Sequence, residues 1–212
     1  MHDSFVISDN IVAILDAAEQ EFSLGGFAGA GMKAIAARAG VSTALLHYHY
    51  GTKDRLYQEV VRRRSQAINE ERMNLLDAVR MSDADAIDGV IAALVRPPLG
   101  PSGGGRAYAR IFAGLIVGQE RDQALVRETY DPIALRFVEA IGAAAGIGRD
   151  AAGLAYTMTL GTLISVIARD GRTERLMGRD ALLTEEEIVA RITRFARGGI
   201  EALERRQEER PD

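Results

Sequence analysis

The side chains best suited to chemistry in this 212-residue chain lie between Gly31 and Tyr57, in the segment GMKAIAARAGVSTALLHYHYGTKDRLY. It gathers two of the chain's three histidines, His47 and His49, with Tyr48 between them and Lys33 and Lys53 on either side. These groups donate hydrogen bonds or carry positive charge, the chemistry that grips phosphate. They do not form a catalytic set: no serine elbow, HExxH or dinucleotide fingerprint accompanies them. His47 and His49 stand two residues apart, so on a helix they point to different faces and do not share a metal. The chain has no cysteine, which excludes disulfides, thiolate nucleophiles and thiolate metal sites. No catalytic residue, metal or cofactor is therefore assigned, and the chain reads as a non-enzyme.

Charge is distributed to match. The net charge is −4, yet residues 1–30 carry Asp3, Asp9, Asp16, Glu19 and Glu21 with no Lys or Arg. Residues 31–64 reverse the sign: Lys33, Arg38, Lys53, Arg55, Arg62, Arg63 and Arg64 stand against Asp54 and Glu59. A basic block inside an acidic chain is the footprint of a phosphate-contacting element, because only the contacting surface needs positive potential. Arg62 to Arg64 read better as a solvated helix face than as phosphate ligands.

The elements that hold these groups follow from local signals. Apolar residues recur at helical spacing along almost the whole chain, and period-two alternation is absent, so the fold is expected to be all-α. A first helix spans about Asp9 to Phe22, capped by Ser8 and stopped at Leu24-Gly25-Gly26. Two short helices, Met32 to Ala39 and Thr43 to His49, are separated by Gly40-Val41-Ser42. A helix pair crossing through so short a turn needs a small residue at closest approach, supplied by Ala36, and a residue tolerant of positive φ, supplied by Gly40. Ile35, Ala39, Val41 and Leu46 form the wedge, with Tyr50 also inside. Ser42 caps the second helix and leaves Thr43, Ala44, His47 and Tyr48 on its outward surface. Its first turn is small enough to approach base edges, while His47, Tyr48 and His49 donate to phosphate. Thr52 caps the next helix, whose N-terminus joins Lys53 in favouring phosphate.

The succession Ile-Ala-x-x-Ala-Gly-Val-Ser, Leu-x-Tyr-x-Tyr and Gly-Thr-Lys-Asp-x-Leu, behind a helix and Gly-Phe-x-x, resembles the DNA-binding domain of the tetracycline-repressor (TetR) family over roughly Asn10 to Tyr57. The resemblance implies a three-helix DNA-binding domain with a helix-turn-helix, joined through a fourth helix to a larger helical domain for ligand binding and dimerisation. We draw the boundary between residues 1–54 and 55–212. The resemblance makes Thr43, Ala44, His47, Tyr48, His49 and Lys53 DNA contacts, with Ser42 near phosphate. Lys33 joins them from the basic block. The sequence departs from the family in having Gly31 where many members carry a capping Thr, and in having no Lys or Arg between Met1 and Asn10.

Beyond the fourth helix, expected to reach about Val79, Ser82 offers a cap for a helix to Val95 with Asp85 as its capping-box partner. Residues 97–105, PPLGPSGGG, form a surface loop without the ending of a phosphate-binding loop. Helices are expected from Arg106 to Gln119, from Gln123 to Ala145 with a break at Pro132, and from Arg149 to Asp170. A last helix starts at Thr184, paired with Glu187 in a capping box. Tyr108, Phe112, Tyr130, Phe137, Tyr156 and Met158 are candidates to line an apolar ligand pocket, with ordinary core packing as the competing account. By the resemblance, the last two helices make a dimer interface from Leu154, Gly161, Ile164, Ile188, Ile192, Phe195 and Leu203.

No apolar run reaches the roughly 20 residues of a membrane span, and the N-terminal residues lack a signal-peptide pattern. The expected location is cytoplasmic and the expected partners are double-stranded operator DNA, a second copy of the chain and a small-molecule effector, with no membrane. Two functional classes remain open: a regulator (repressor, activator or corepressor-dependent) and a helical ligand-binding protein that has lost DNA readout.

Overall fold

The computed structural model describes residues 2–167, 171–178 and 182–208. Among them there are eleven α-helices and no strand: α1 (His2–Gly29), α2 (Met32–Ala39), α3 (Thr43–Tyr50), α4 (Lys53–Asp77), α5 (Ala86–Val95), α6 (Gly105–Ile116), α7 (Glu120–Thr129), α8 (Asp131–Ala145), α9 (Arg149–Ile167), α10 (Arg172–Leu176) and α11 (Glu185–Glu208). α1 packs on α2, α4 and α6, while α8, α9, α5 and α11 pack together behind them. The buried cluster is continuous from Ile14 to Ile200. α4 is shared by both halves, burying Leu56 and Val60 near its start and Ile68 and Leu76 further along.

Helix ends follow local chemistry where the cap is close in sequence. Thr52 Oγ1 accepts from Arg55 N at 3.2 Å. Thr184 and Glu187 exchange hydrogen bonds at 2.9 and 3.2 Å, the expected reciprocal box. Pro132 lies in the first turn of α8, where its missing N–H costs no helical bond, and so divides α7 from α8.

Three boundaries differ from expectation. α1 already includes Ser8, so that residue does not start it, and it runs on to Gly29 through a kink at Gly26 (φ 62°). α5 begins at Ala86; Ser82 turns instead toward Asp83 at 3.5 Å. The 97–105 segment is a packed turn, with Pro97, Pro98 and Gly103 buried and a 3₁₀ turn at Pro101–Gly103. A Cβ on Gly103 would stand 2.0 Å from the Pro98 carbonyl oxygen, so only glycine fits.

By length and composition alone α9 could cross a bilayer, with a mean hydropathy of 1.3. In the fold it lies against α8, α11 and α6, turning Ala152, Ala155, Thr159, Leu163 and Ile167 inward.

Candidate DNA interface and ligand cavity

The α2–α3 unit has the geometry its residues require. Ile35, Ala36 and Leu46 are buried between the helices and α1. Gly40 takes φ 68°, ψ 25°, a left-handed conformation in which its N–H closes the end of α2. Ser42 Oγ accepts from Leu45 N at 3.1 Å and caps α3. Tyr50 is buried at the other end of the helix. Burial of Leu46 and Tyr50 on one side sets the opposite side outward: Ser42, Thr43, Ala44, His47 and Tyr48 are all exposed, Tyr48 by 83%.

The His47 ring is oriented. Its Nδ1 lies 2.8 Å from the Gly51 carbonyl oxygen. A carbonyl only accepts, so Nδ1 carries the proton and donates, leaving Nε2 as the second nitrogen for an external partner. His49 is half-buried, its ring edge-on to Tyr48 at 5.3 Å. Lys33 is exposed on α2. Lys53 turns back toward the end of α1, donating to the carbonyls of Ala28 at 3.3 Å and Ala30 at 3.0 Å. One of its three protons then remains for another acceptor. Gly31 precedes α2 with no side-chain cap, as its residue type dictates.

Arg62, Arg63 and Arg64 stay partly exposed, as a solvated face would, but they and Arg38 are paired with carboxylates, three of the four with the acidic first helix. Arg38 pairs with Glu21 at 2.8 Å, Arg63 with Asp16 at 2.7 Å and Arg64 with Glu19 at 2.9 Å. Arg62 reaches Glu128 of α7 at 2.8 Å. That contact lowers the Glu128 carboxyl and raises the Arg62 guanidinium, chiefly through the hydrogen bond between them. Two of these pairs, Arg63–Asp16 and Arg64–Glu19, brace α1 of the DNA-binding half against α4. So does Phe27, whose ring lies under Arg121 at 3.7 Å and Lys53 at 4.7 Å.

In the larger half, a small cavity of ≈ 10 Å³, about the space of one water molecule, is lined by Ile68, Arg72, Pro98, Tyr108, Phe112, Tyr130 and Ile167, among others. Three expected ligand residues meet there: Tyr108, Phe112 and Tyr130, with the two hydroxyls 2.5 Å apart. Burial pushes both phenols above the usual range. The other three do not line it. Phe137 is fully buried on α8 in the core, Tyr156 is half-buried, and Met158 is 58% exposed on the outer face of α9. Helical spacing marks an apolar residue without telling which side faces a cavity. Arg72, which sequence reasoning missed, is 1% exposed. The available signal was a charge at an inward position of the stripe Val61, Ser65, Ile68, Arg72, Leu76.

The residues expected between subunits also divide. Ile188 and Ile192 are buried within their own chain, where α11 packs on α5 and α9, and they also line the groove beside Phe195. Ile164 and Leu203 are half-buried. Leu154, Gly161 and Phe195 are exposed, Phe195 by 70%.

Comparison with known proteins fits this geometry. Residues 14–60 match the family described as bacterial regulatory proteins, tetR family, and residues 89–199 match the tetracyclin repressor-like C-terminal domain. The fold is shared with a TetR-like transcriptional regulator from Rhodococcus sp. RHA1, 20% identical, covering 90% of this chain and 95% of that one with a TM-score of 0.66. FadR from Bacillus subtilis, solved with stearoyl-CoA, is 15% identical over 88% of this chain and 97% of that one, with a TM-score of 0.63. A transcriptional regulator from Saccharomonospora viridis, solved with choline, is 17% identical over 86% of this chain and 93% of that one, with a TM-score of 0.62. No curated protein sequence matches the chain. With a capped helix-turn-helix at one end, a helical domain behind it, and both halves matched, the chain belongs to the TetR family of bacterial transcriptional regulators.

Proposed function

We propose that this regulator acts as a homodimeric repressor, in the cytoplasm, on a roughly palindromic operator and is released by a small-molecule effector. The observation that carries the DNA reading is the outward face of α3: Ser42, Thr43, Ala44, His47 and Tyr48 exposed over a buried Leu46 and Tyr50. Small residues admit the helix to the major groove, while Ser42, His47, Tyr48, Lys33 and the remaining Lys53 proton supply donors to phosphate or base edges. His49, half-buried, contributes from the rim. Two such helices in a two-fold dimer meet successive major grooves about 34–36 Å apart.

Leu154, Gly161 and Phe195 form the core of the subunit contact, Met158 joins them, and Ile164 and Leu203 flank it. Such a four-helix seam from α9 and α11 of two chains is self-complementary under two-fold symmetry. The domain division follows the sequence, 1–54 for DNA and 55–212 for ligand and partner. The effector occupies the cavity under Tyr108, Phe112 and Tyr130. It weakens DNA binding only by as much as it prefers the released conformation. Relatives of this fold hold ligands as unlike as stearoyl-CoA and choline, so the fold leaves the effector's chemistry to the cavity's own residues.

A second reading, a ligand-binding protein without DNA readout, draws on Gly31 and on the pairing of four arginines with carboxylates. Fluorescence polarisation on promoter fragments beside the gene, across salt concentrations, separates the two. Steep loss of affinity with salt is the expected outcome, since phosphate contacts release counterions. A flat, weak response on every fragment at low salt sinks the repressor.

A further inference from the structure

Arg72 has an environment that structural packing alone leaves incomplete. Its side chain is enclosed, yet among the described residues it makes no ion pair. Nε donates to the Leu94 carbonyl oxygen at 3.0 Å, in the last turn of α5. Nη2 is buried and has no partner. A guanidinium does not shed its proton in a protein, so the charge stays. Burying a charge without a counter-charge is strongly unfavourable, and a single carbonyl contact does not need a cation.

The same group lines the cavity together with Tyr108 and Tyr130. Their hydroxyls share one hydrogen bond. Two hydroxyls carry two protons, so one proton of the pair is free for a further acceptor. The cavity therefore presents a cation with an unused N–H and a spare hydroxyl proton, while Ile68, Phe112, Pro98 and Ile167 make the rest apolar.

We propose that the effector is an amphipathic oxyanion, whose carboxylate or phosphate pairs with Arg72 and the Tyr108–Tyr130 hydroxyls, the cavity, closed to ≈ 10 Å³ in this conformation, widening along Ile68, Phe112 and Ile167 to take its apolar part. The proposal rests on the reading that the larger domain binds an effector, and it adds the sign of the ligand's charge. Charge-assisted hydrogen bonds to a planar guanidinium are strong and directional, and they are strongest where water is excluded.

Titration calorimetry and thermal unfolding of the full chain test this with three probes sharing one tail: octanoate, octyl phosphate and octanamide. At least one anion binds about tenfold or more tightly than the uncharged amide, and raises Tm, if the missing partner is an oxyanion. The better of the two tells carboxylate from phosphate. In R72M the preference for the anion disappears, while the ligand-free protein keeps or gains Tm because an unpaired buried charge is gone. R72K, which retains the charge, keeps part of the preference and serves if R72M does not fold. Equal binding of all three probes, no binding of either anion to the wild type, or a preference that survives in R72M overturns the proposal. A lower Tm in R72M with the preference intact would assign Arg72 to holding α5 alone. Polarisation on promoter DNA without any probe is run in parallel. Its failure in the wild type counts against the repressor and leaves the probe comparison standing.

Discussion

Arg64 of α4 donates to one carboxylate oxygen of Glu19 on α1 from both Nε (3.2 Å) and Nη2 (2.9 Å). Its Nη1 reaches the Ser102 carbonyl oxygen at 3.4 Å. One guanidinium thus ties the first helix of the DNA-binding half to the 97–105 turn of the larger half. Gly104 lies against the pair with φ 68°, and a Cβ there would stand 2.6 Å from Arg64 Nε.

Removing one partner of this pair leaves a largely enclosed charge. Glu19→Gln is expected to cost about 2 kcal/mol, below the ~3–5 kcal/mol of a fully buried pair because Arg64 keeps some water. Asp16→Asn, which breaks the more exposed pair with Arg63, costs under about 1 kcal/mol. Gly104→Ala is destabilising through both its backbone and the displaced guanidinium. Urea unfolding of the three variants checks the order, and equal losses at Glu19 and Asp16 would refute the bracing role.

Gly31 stands at the cap of α2 with open space where a side chain would be. Gly31→Thr is expected to add roughly 0.5 kcal/mol of stability, from a cap bond and a stiffer unfolded chain. Its hydroxyl also adds a donor beside the DNA face, so operator affinity rises severalfold. Polarisation measures that gain, and a fall in affinity would place α2 away from the phosphates.

Tyr57 is buried against Phe22 and Phe27, and burial, with Asp122 nearby, pushes its phenol up to about 12. The unfolded phenol ionises near 10, so the unfolded state loses its proton first as pH rises. The contribution is fully present below about pH 10 and declines toward pH 12, at up to about 1.4 kcal/mol per pH unit. Tyr108 and Tyr130 add to the slope in the same direction. Denaturant midpoints between pH 9 and 11.5 measure it, and Tyr57→Phe is expected to flatten the curve by one phenol's share.

Phe195 exposes most of its ring on α11, next to a groove that Thr162 and Val166 of α9 also line. Phe195→Glu is expected to turn the proposed dimer into a monomer at micromolar concentration and to lose the proposed operator binding, since two half-sites would no longer act together. Helix content stays unchanged because the ring is not part of the subunit core. Sedimentation velocity with circular dichroism reads both, and a dimer that survives the substitution moves the interface elsewhere.

What could be read along the chain was whatever is decided within about four residues. Ser42 over Leu45, Thr52 over Arg55 and Thr184 with Glu187 are caps whose partners lie three positions away, and Gly40 ends α2 in the left-handed conformation its type permits. The helix-turn-helix and its outward residues were legible for that reason. Ser8 and Ser82 show the limit: both are good capping residues, yet α1 already includes Ser8 and α5 begins only at Ala86.

Long-range neighbours decided the rest. A basic block at 31–64 and an acidic run before it look like separate surfaces in one dimension, but α1 lies against α4 and sets Asp16 and Glu19 on Arg63 and Arg64. Helical spacing marked Tyr108 and Met158 alike, and only the placement of α6 and α9 turned one into a cavity and the other outward. Arg72 is enclosed because α5 and α6 close over it, leaving a charge to which the described residues supply no counter-charge. Side-chain periodicity states which residues share a face; what that face meets depends on packing between elements far apart in sequence.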